Sequence, residues 1–129
     1  MGQDKHKPKL CFSVLTEEGF TEDGNIIMKN PIAGFYVSRL PFNVEFTLNF
    51  GLTDLKKGEV YTFTVKILDP NKNVIFDEKI DELSSDDLNI LLGAGLKFKI
   101  EKSGIYEVQS IIDGNCFGSN FFEVRLKER

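Results

Sequence analysis

The chain has 129 residues, of which 41% are hydrophobic and 28% are charged, which suits one globular domain burying roughly two-thirds of its unfolded surface. The formal net charge of −4 argues against nucleic acid as a partner, because binding phosphates needs a concentrated positive field. The twelve Phe, three Tyr and absence of Trp favour β-structure, since aromatic side chains suit a pleated, half-buried surface.

The N-terminus is polar and has no apolar stretch behind it, so no secretory signal is recognisable. We expect residues 1–8 to form a flexible tail and residues 9–129 to form a single domain. No apolar run approaches the ~18 residues needed to cross a bilayer, so no membrane partner is expected. These features predict a cytoplasmic protein, in which Cys11 and Cys116 would be free thiols.

The first third of the chain predicts short β elements. Residues 10–15 predict a first strand, in which Leu10, Phe12 and Val14 lie on one face and alternate with Cys11, Ser13 and Leu15. Residues 16–25 are polar and predict a loop or a short hairpin that leads into residues 26–28. Pro31 ends that piece, because proline cannot donate to a central ladder.

The middle of the chain contains the clearest strands. Residues 34–37 predict a short strand or a bend. Residues 42–50 and 61–67 alternate apolar and polar side chains, which predicts two long strands, each with one buried and one solvated face. Residues 69–73 form a turn sequence before a short strand at residues 74–76, because Asp and Pro both favour turns.

Residues 77–95 are compatible with a strand, an irregular loop or one short helix. Ser84, Ser85, Asp86 and Asp87 precede an apolar run and could cap a helical turn. Glycines at positions 93 and 95 would cut such a helix short, so a strand or a loop is favoured. Clear alternation resumes at residues 96–100.

The last quarter of the chain predicts a β-hairpin. Two β-rich runs flank Asp113-Gly114, and Asp-Gly suits a type I′ turn, which needs positive φ at both central residues. The residues expected to face the core are Tyr106, Val108 and Ile112 on the first strand and Phe122, Val124 and Leu126 on the second.

The pattern as a whole predicts an all-β fold of about seven to nine strands, because turn signals recur every ~8–12 residues. Consistent polar faces favour two packed sheets over one closed barrel. The prediction is therefore an immunoglobulin-like, or C2-like, two-sheet antiparallel β-sandwich. Its expected core is led by Phe46, Leu48, Phe63, Val65, Phe98, Val108 and Val124.

Several short motifs occur in a characteristic order. These are Gly34-Phe35, Leu40-Pro41-Phe42, the strand and turn over residues 64–73, and Gly104-Ile-Tyr106 followed by Asp113-Gly114. Over roughly residues 25–126, this arrangement resembles a family of small, uncharacterised bacterial or phage β-sandwich proteins with an immunoglobulin-like appearance. The resemblance implies the sandwich fold, and it implies no activity and no functional residue.

The residues needed for catalysis are not found in a usable combination. His6 is the only histidine and lies in the predicted tail, so a Cys–His or Ser–His pair has no fixed base. A zinc site would need about four Cys, His or acidic ligands, which the sequence does not supply at suitable spacing. The adjacent acids Asp86 and Asp87 are most simply solvated. We therefore expect no enzymatic activity and no cofactor.

Acidic loops leave a calcium site open as an alternative, because C2-type sandwiches gather such loops at one end. Each loop here supplies only one or two carboxylates, so ordinary Asx turns explain them as well. The residues concerned are Asp69, Asn71, Asn73 and Asp77 near one turn, and Asp113 and Asn115 near another.

Aromatic residues of the last strand give the main functional hint. Phe117 and Phe121 are expected on the hairpin face opposite the core, with Ile105 and Ile111 on the matching face of the neighbouring strand. Unless residues 77–95 fold over them, these four side chains would form an apolar patch that binds a partner.

The favoured function is therefore a non-enzymatic protein-interaction or assembly module of a bacterium or phage. Its partner would be another protein or a second copy of the chain. The alternative is a β-sandwich that binds a small ligand or carbohydrate, using Tyr36 as an exposed aromatic together with the loop acids.

Overall fold

A computed structural model describes residues 7–84 and 89–127, and these residues form nine strands and no helix. None of them therefore forms a helix able to span a membrane. The strands are β1 (Lys9–Glu22), β2 (Asn25–Pro31), β3 (Gly34–Val37), β4 (Phe42–Thr53), β5 (Tyr61–Leu68), β6 (Val74–Leu83), β7 (Asn89–Ile100), β8 (Gly104–Ile112) and β9 (Asn115–Leu126).

The strands form a four-stranded sheet of order β2-β1-β4-β7 and a five-stranded sheet of order β3-β9-β8-β5-β6. Strands β1, β4 and β7 correspond to A, B and E of an immunoglobulin domain, while β5, β8 and β9 correspond to C, F and G. The predicted immunoglobulin-like β-sandwich is thus confirmed. Pairing is antiparallel throughout except between β3 and β9, which run parallel.

The core lies between the sheets and follows the predicted alternation where the ladders are unbroken. Strands β4 and β7 pair without a register shift from Phe42–Ile100 to Thr53–Asn89. All seven residues expected to lead the core are buried. The alternation of apolar and polar residues was sufficient to predict which side chains face the core. In a strand without an extra residue, every second side chain stays on the same face along the whole strand.

Both Asp-Gly pairs form tight hairpin turns. The φ angles are 51° and 82° at Asp113 and Gly114, and 51° and 78° at Asp23 and Gly24. Positive φ at both central residues is the requirement of a type I′ turn, so the predicted C-terminal hairpin is confirmed. Residues 16–25 form the hairpin between β1 and β2, and not a loop.

Two expectations about the first and last strands were wrong, one at a register shift and one at a strand end. A register shift between Leu10 and Phe12 puts Leu10 opposite buried Leu52, but Phe12 opposite Gly51. The Phe12 ring consequently lies against Gly51 on the outer face of the four-stranded sheet, and does not share the face of Leu10. Leu126, expected in the core, is 47% exposed because β9 ends there, beyond the cover of the opposite sheet.

The segment over residues 77–95 is strand on both sides of a short stretch that lies outside the described residues. Strand β6 continues to Leu83, and β7 begins at Asn89. Strand β6 forms the far edge of the five-stranded sheet and β7 belongs to the other sheet. The described part of the segment therefore leaves the outer face of β8 and β9 uncovered.

The β1–β2 hairpin folds over the outer face of the four-stranded sheet. Asn49 projects outward from β4 yet is fully buried, and its Nδ2 donates to the Val14 carbonyl at 3.0 Å and to Thr16 Oγ1 at 2.8 Å. Gly19 lies directly over the Asn49 side chain, and its carbonyl approaches Gly93 of β7. The hairpin is thus fixed where β4 and β7 pair.

Tyr106 forms a tyrosine corner at the start of β8. Its hydroxyl donates to the Lys102 carbonyl at 2.7 Å and accepts from the Lys102 N–H at 3.3 Å, although the residue is only 1% exposed. A tyrosine bonded to the backbone a few residues upstream of strand F is a hallmark of immunoglobulin-like sandwiches. Burial raises the pKa of the Tyr106 hydroxyl.

We predict that Tyr106→Phe lowers the free energy of unfolding by about 1–3 kcal/mol, because the buried tyrosine loses its part-buried hydrogen bond to the Lys102 carbonyl. Urea denaturation measures the difference. Tyr36→Phe is the matched control: the Tyr36 side chain is 71% exposed, so its loss of a hydroxyl should change stability by less than about 0.5 kcal/mol. Equal effects of the two variants would contradict a structural role for the corner.

We further predict that Gly19→Ala destabilises the protein, because the added Cβ would overlap the Asn49 side chain. The expected loss is about 1–3 kcal/mol, as for other overpacked sites. Gly95→Ala on β7 is the control, since a Cβ there meets nothing within 4 Å. Comparable melting temperatures for the two variants would show that the hairpin does not depend on close approach at Gly19.

Candidate functional site: the outer face of the five-stranded sheet

Three large apolar side chains are exposed on neighbouring strands of this face. Tyr36 on β3 is 71% exposed, Ile105 on β8 is 59% exposed and Phe121 on β9 is 56% exposed. We call these three residues the outer patch. Their alternate neighbours point into the core, so the pleat of the sheet itself turns the outer patch toward solvent.

The register brings Ile105 and Phe121 together. Phe121 pairs with Glu107 and Ile105 pairs with Glu123, so the two apolar residues are diagonal neighbours. Diagonal neighbours on one face of an antiparallel pair lie ~7–8 Å apart, within reach of large side chains. Tyr36 pairs with Arg125 one strand further along, at the end of the outer patch.

Phe117 and Ile111, the other two predicted partner-binding residues, do not join this group. Ser110 pairs with Gly118 and Ile111 pairs with Cys116, which makes Phe117 the extra residue of a β-bulge. The bulge reverses the phase of β9, so Phe117 is partly buried and packs against the core. The expectation that Phe117 shares an outer face with Phe121 is therefore wrong. Ile111 is half-buried beside the turn.

Polar side chains on the same face are bonded to one another. Glu107 accepts from Ser119 Oγ at 2.7 Å and from Gln109 Nε2 at 3.1 Å, and it lies 3.7 Å from Lys72 Nζ. The hydrogen bond from Ser119, with those from the other two residues, holds the pKa of the Glu107 carboxyl below its ordinary value. Glu107 is thus an anion fixed beside Phe121, on the next strand.

A second charged pair lies beside Tyr36. Arg125 Nε donates to Glu123 Oε2 at 2.7 Å, and Arg125 Nη2 donates to Glu123 Oε1 at 3.3 Å. These two residues line a shallow depression of about 290 Å³. The rest of its lining is Ala33 and three residues of β3, Gly34, Phe35 and Tyr36. The depression presents one aromatic ring and one bidentate ion pair to solvent.

The loop acids proposed as calcium ligands are bonded within the chain and lie far apart. Asp69 Oδ1 accepts the N–H groups of Asn71 and Asn73 at 2.8 Å and 2.9 Å, which is an Asx turn after the end of β5. Asp113 Oδ1 accepts the Thr62 N–H at 2.9 Å, at the start of β5. Opposite ends of one strand cannot supply a single site, so the acids do not converge.

Within residues 7–84 and 89–127, no group of three or more His, Cys, Asp or Glu side chains could hold a metal ion. Asp77 lies 4.0 Å from Lys66 Nζ in an exposed ion pair. His6, Asp86 and Asp87 lie outside the described residues. Cys11 and Cys116 are both exposed and unbridged, which confirms the prediction of free thiols.

Comparison with known proteins supports the fold and nothing finer. Neither a family model nor a curated protein matches the chain. The chain is similar in structure to part of the alkylpurine DNA glycosylase AlkC of Pseudomonas fluorescens, solved bound to DNA containing an abasic site analog. The TM-score is 0.62 at 13% identity, over 92% of this chain and 30% of the glycosylase. At that identity the likeness concerns the fold alone.

A second solved structure is an immunoglobulin-like protein from Pseudomonas aeruginosa, with a TM-score of 0.41 and 12% identity. That alignment covers 93% of this chain and 98% of the other. The glycosylase match, in contrast, is to a much longer protein, of which this chain spans less than a third.

Sequence reasoning found Ile105 and Phe121 by strand phase, and assigned Tyr36 only to the alternative function. It missed the bulge that removes Phe117 from the outer face. Gly118 was an available signal, because an isolated glycine in a strand indicates a bulge or a close backbone approach. A Cβ on Gly118 would lie 2.8 Å from Leu10 Cδ2, so the close approach is real.

We predict that Asp69 contributes to the pH dependence of stability. Hydrogen bonds from the backbone N–H of Asn73 and then of Asn71, together with the Lys102 ammonium, lower the pKa of Asp69 below its ordinary value of 3.8. A depressed pKa in the folded state gives stability that is present above the ordinary pKa and lost as the pH falls through the folded value. Acid should therefore weaken the fold below about pH 4.

Asp69→Asn keeps the acceptor oxygen for the turn but removes the charge that faces Lys102 Nζ at 3.4 Å. Urea denaturation between about pH 2 and pH 6 should give this variant a flatter acid limb than the natural chain. Asp77→Asn is the control, because that carboxylate lies on the exposed edge strand β6. Identical acid limbs for all three proteins would contradict the role of Asp69.

Proposed function

We propose that this chain is a non-enzymatic protein-interaction module that binds another protein through the outer patch. The observation that carries the proposal is the exposure of Tyr36, Ile105 and Phe121 on three adjacent strands of one sheet face. Exposed aromatic and aliphatic side chains surrounded by polar groups are typical of protein interfaces.

The electrostatics of the face favour a protein over nucleic acid. Glu107 and Glu123 lie directly across from Phe121 and Ile105, so a polyanion would meet fixed carboxylates at the centre of the surface. Arg125 is already engaged by both oxygens of Glu123. A partner that offers apolar side chains with a few hydrogen-bond donors fits this arrangement, because donors can bond the carboxylates at the rim.

The fold of the DNA glycosylase AlkC makes DNA the competing partner to test. Binding to DNA depends on neutralising phosphates and weakens steeply as salt is added. Fluorescence anisotropy with a labelled duplex that carries an abasic site analog, at low and physiological salt, provides the test. We expect no saturable binding at physiological salt.

The depression beside Tyr36 favours a small ligand, such as a carbohydrate, as the second candidate function. The exposed ring of Tyr36 offers a stacking surface, and the Arg125–Glu123 pair offers polar groups at its side. The loop acids take no part in this version, since they are bonded elsewhere. Tyr36→Ala would abolish sugar binding while leaving the contact around Phe121 intact.

We predict that changing Ile105 and Phe121 together to Ser abolishes partner binding without a large loss of stability. Both side chains are more than half exposed, so the melting temperature should change little. A photo-crosslinking phenylalanine analogue at position 121, introduced in the native host, should give a discrete protein adduct. The Ile105→Ser change should remove that adduct from the same position.

Two controls make the outcome decisive. The same analogue at position 78, exposed on edge strand β6, should give no adduct. Phe117→Ser should lower the melting temperature, because Phe117 packs against the core. No adduct at position 121, or a large fall in stability for the Ile105→Ser and Phe121→Ser double variant, would contradict the proposal.

A further inference from the structure

The four exposed sheet edges of the described chain differ in how well they are protected from pairing with another strand. An unprotected edge presents a row of free backbone donors and acceptors, and natural proteins block it with charges, prolines, bulges or very short strands. The least protected edge is therefore the one with which a further strand can pair.

Three edges carry such protection. Strand β3 is only four residues long. Strand β2 ends with Pro31, which has no backbone donor, and with Asn30, whose φ of 60° departs from extended backbone. Strand β6 has two register shifts against β5, and half of its ten residues are charged, namely Asp77, Glu78, Lys79, Asp81 and Glu82.

Strand β7 has none of these features over most of its length. Its twelve residues pair with β4 without a shift, it contains no proline, and residues 90–96 carry no charge. It is the terminal strand of the four-stranded sheet among the described residues. In a constant-type immunoglobulin domain, strand D lies at this position next to E. Here no described strand does so.

We propose that the outer edge of β7, over residues 90–100, pairs antiparallel with the same residues of a second copy of the chain, joining two four-stranded sheets into one of eight strands. The sequence of β7 is self-complementary about Gly95. In a register centred there, Ala94 lies opposite Leu96 and Leu92 opposite Phe98, and these four residues all belong to the inward-facing set.

Charge also favours this register. Lys97 and Lys99 are the charged residues of β7, and they lie at its C-terminal end. Centring on Gly95 places Lys97 opposite Gly93 and Lys99 opposite Leu91, so no lysine faces a lysine. Like charges directly opposite one another destabilise a strand pair, so a self-paired strand needs such an offset.

Gly95 provides a site at which the pairing can be blocked without damage to the monomer. It is exposed, a side chain there meets nothing within 4 Å, and its backbone is not in the left-handed region. A lysine at this position would lie opposite its own copy at the symmetry axis. The folded monomer has space for it.

Sedimentation velocity of the full chain from about 1 µM to about 1 mM should give a mass that rises from one chain to two. Gly95→Lys should weaken the dimer about fivefold or more, while Gly95→Ala should leave it unchanged. Melting temperatures of the two variants at low concentration should agree, which excludes misfolding as the cause. A monomer at every concentration would overturn the inference.

Cross-linking tests the register directly. In a chain with Cys11→Ser and Cys116→Ser, a Gly95→Cys change should give an interchain disulfide on mild oxidation. Cα atoms directly opposite in an antiparallel pair lie ~4.5–5.5 Å apart, within the ~4.4–6.8 Å that a disulfide spans. Glu78→Cys, on the protected edge β6, should not cross-link. Equal cross-linking at the two positions would overturn the inference.

The same measurements separate this inference from the proposed function. A dimer that survives Gly95→Lys but is lost when Ile105 and Phe121 become Ser would overturn pairing through β7. It would assign self-association to the outer patch instead. A dimer that is lost in Gly95→Lys but survives when Ile105 and Phe121 become Ser supports pairing through β7, whatever the outer patch binds.

Discussion

The two sheets are held together by a cluster of aromatic rings centred on Phe122. Its ring lies 5.3 Å from Phe46 of the opposite sheet in an edge-to-face contact, and 5.1 Å from Tyr106 in a stacked contact. Phe35 approaches it at 5.7 Å and Phe98 at 6.2 Å. Aromatic pairs at these separations contribute beyond simple burial, by ~0.5–1.5 kcal/mol each. Four phenylalanines and Tyr106 thus serve in place of a core tryptophan.

The same cluster connects the core to the chain's most distinctive local structure. Because the Tyr106 ring stacks on Phe122, its hydroxyl is fixed where it can bond the Lys102 backbone. Lys102 in turn reaches Asp69 and Asn71 of the β5–β6 turn. One ring contact therefore orders the two connections at that end of the sandwich. Their side chains serve the fold, which is why the acids there are not free to bind a ligand.

Strand phase could be predicted from the sequence wherever the strand itself contains no extra residue. Phe46, Phe63 and Phe98 were assigned correctly because their strands alternate without interruption near them. Phe12 and Phe117 were not, because each follows or occupies a bulge, and a single extra residue exchanges the two faces of a strand. Nothing in a periodicity of two marks such a residue, apart from a nearby glycine.

The candidate site was predicted in part for the same reason. Ile105 and Phe121 lie on the regular side of the β9 bulge, so their exposure followed from alternation. The contact between Tyr36 and Arg125 depends on the parallel pairing of β3 with β9, which no local pattern announces. Likewise, the burial of Asn49 depends on a hairpin from a distant part of the chain. Contacts between residues far apart in the sequence are set by the tertiary structure, and local sequence patterns do not reveal them.

The β1–β2 hairpin makes the two outer faces of the sandwich unequal. It partly covers the outer face of the four-stranded sheet, while the outer face of the five-stranded sheet is open. Two copies joined in register at β7 would be related by an axis perpendicular to the shared sheet. Both five-stranded sheets would then lie on the same side, with their open faces pointing the same way. Such an assembly would be bivalent: a partner with two sites, or an array of partners, would be held by avidity far beyond the affinity of either face alone.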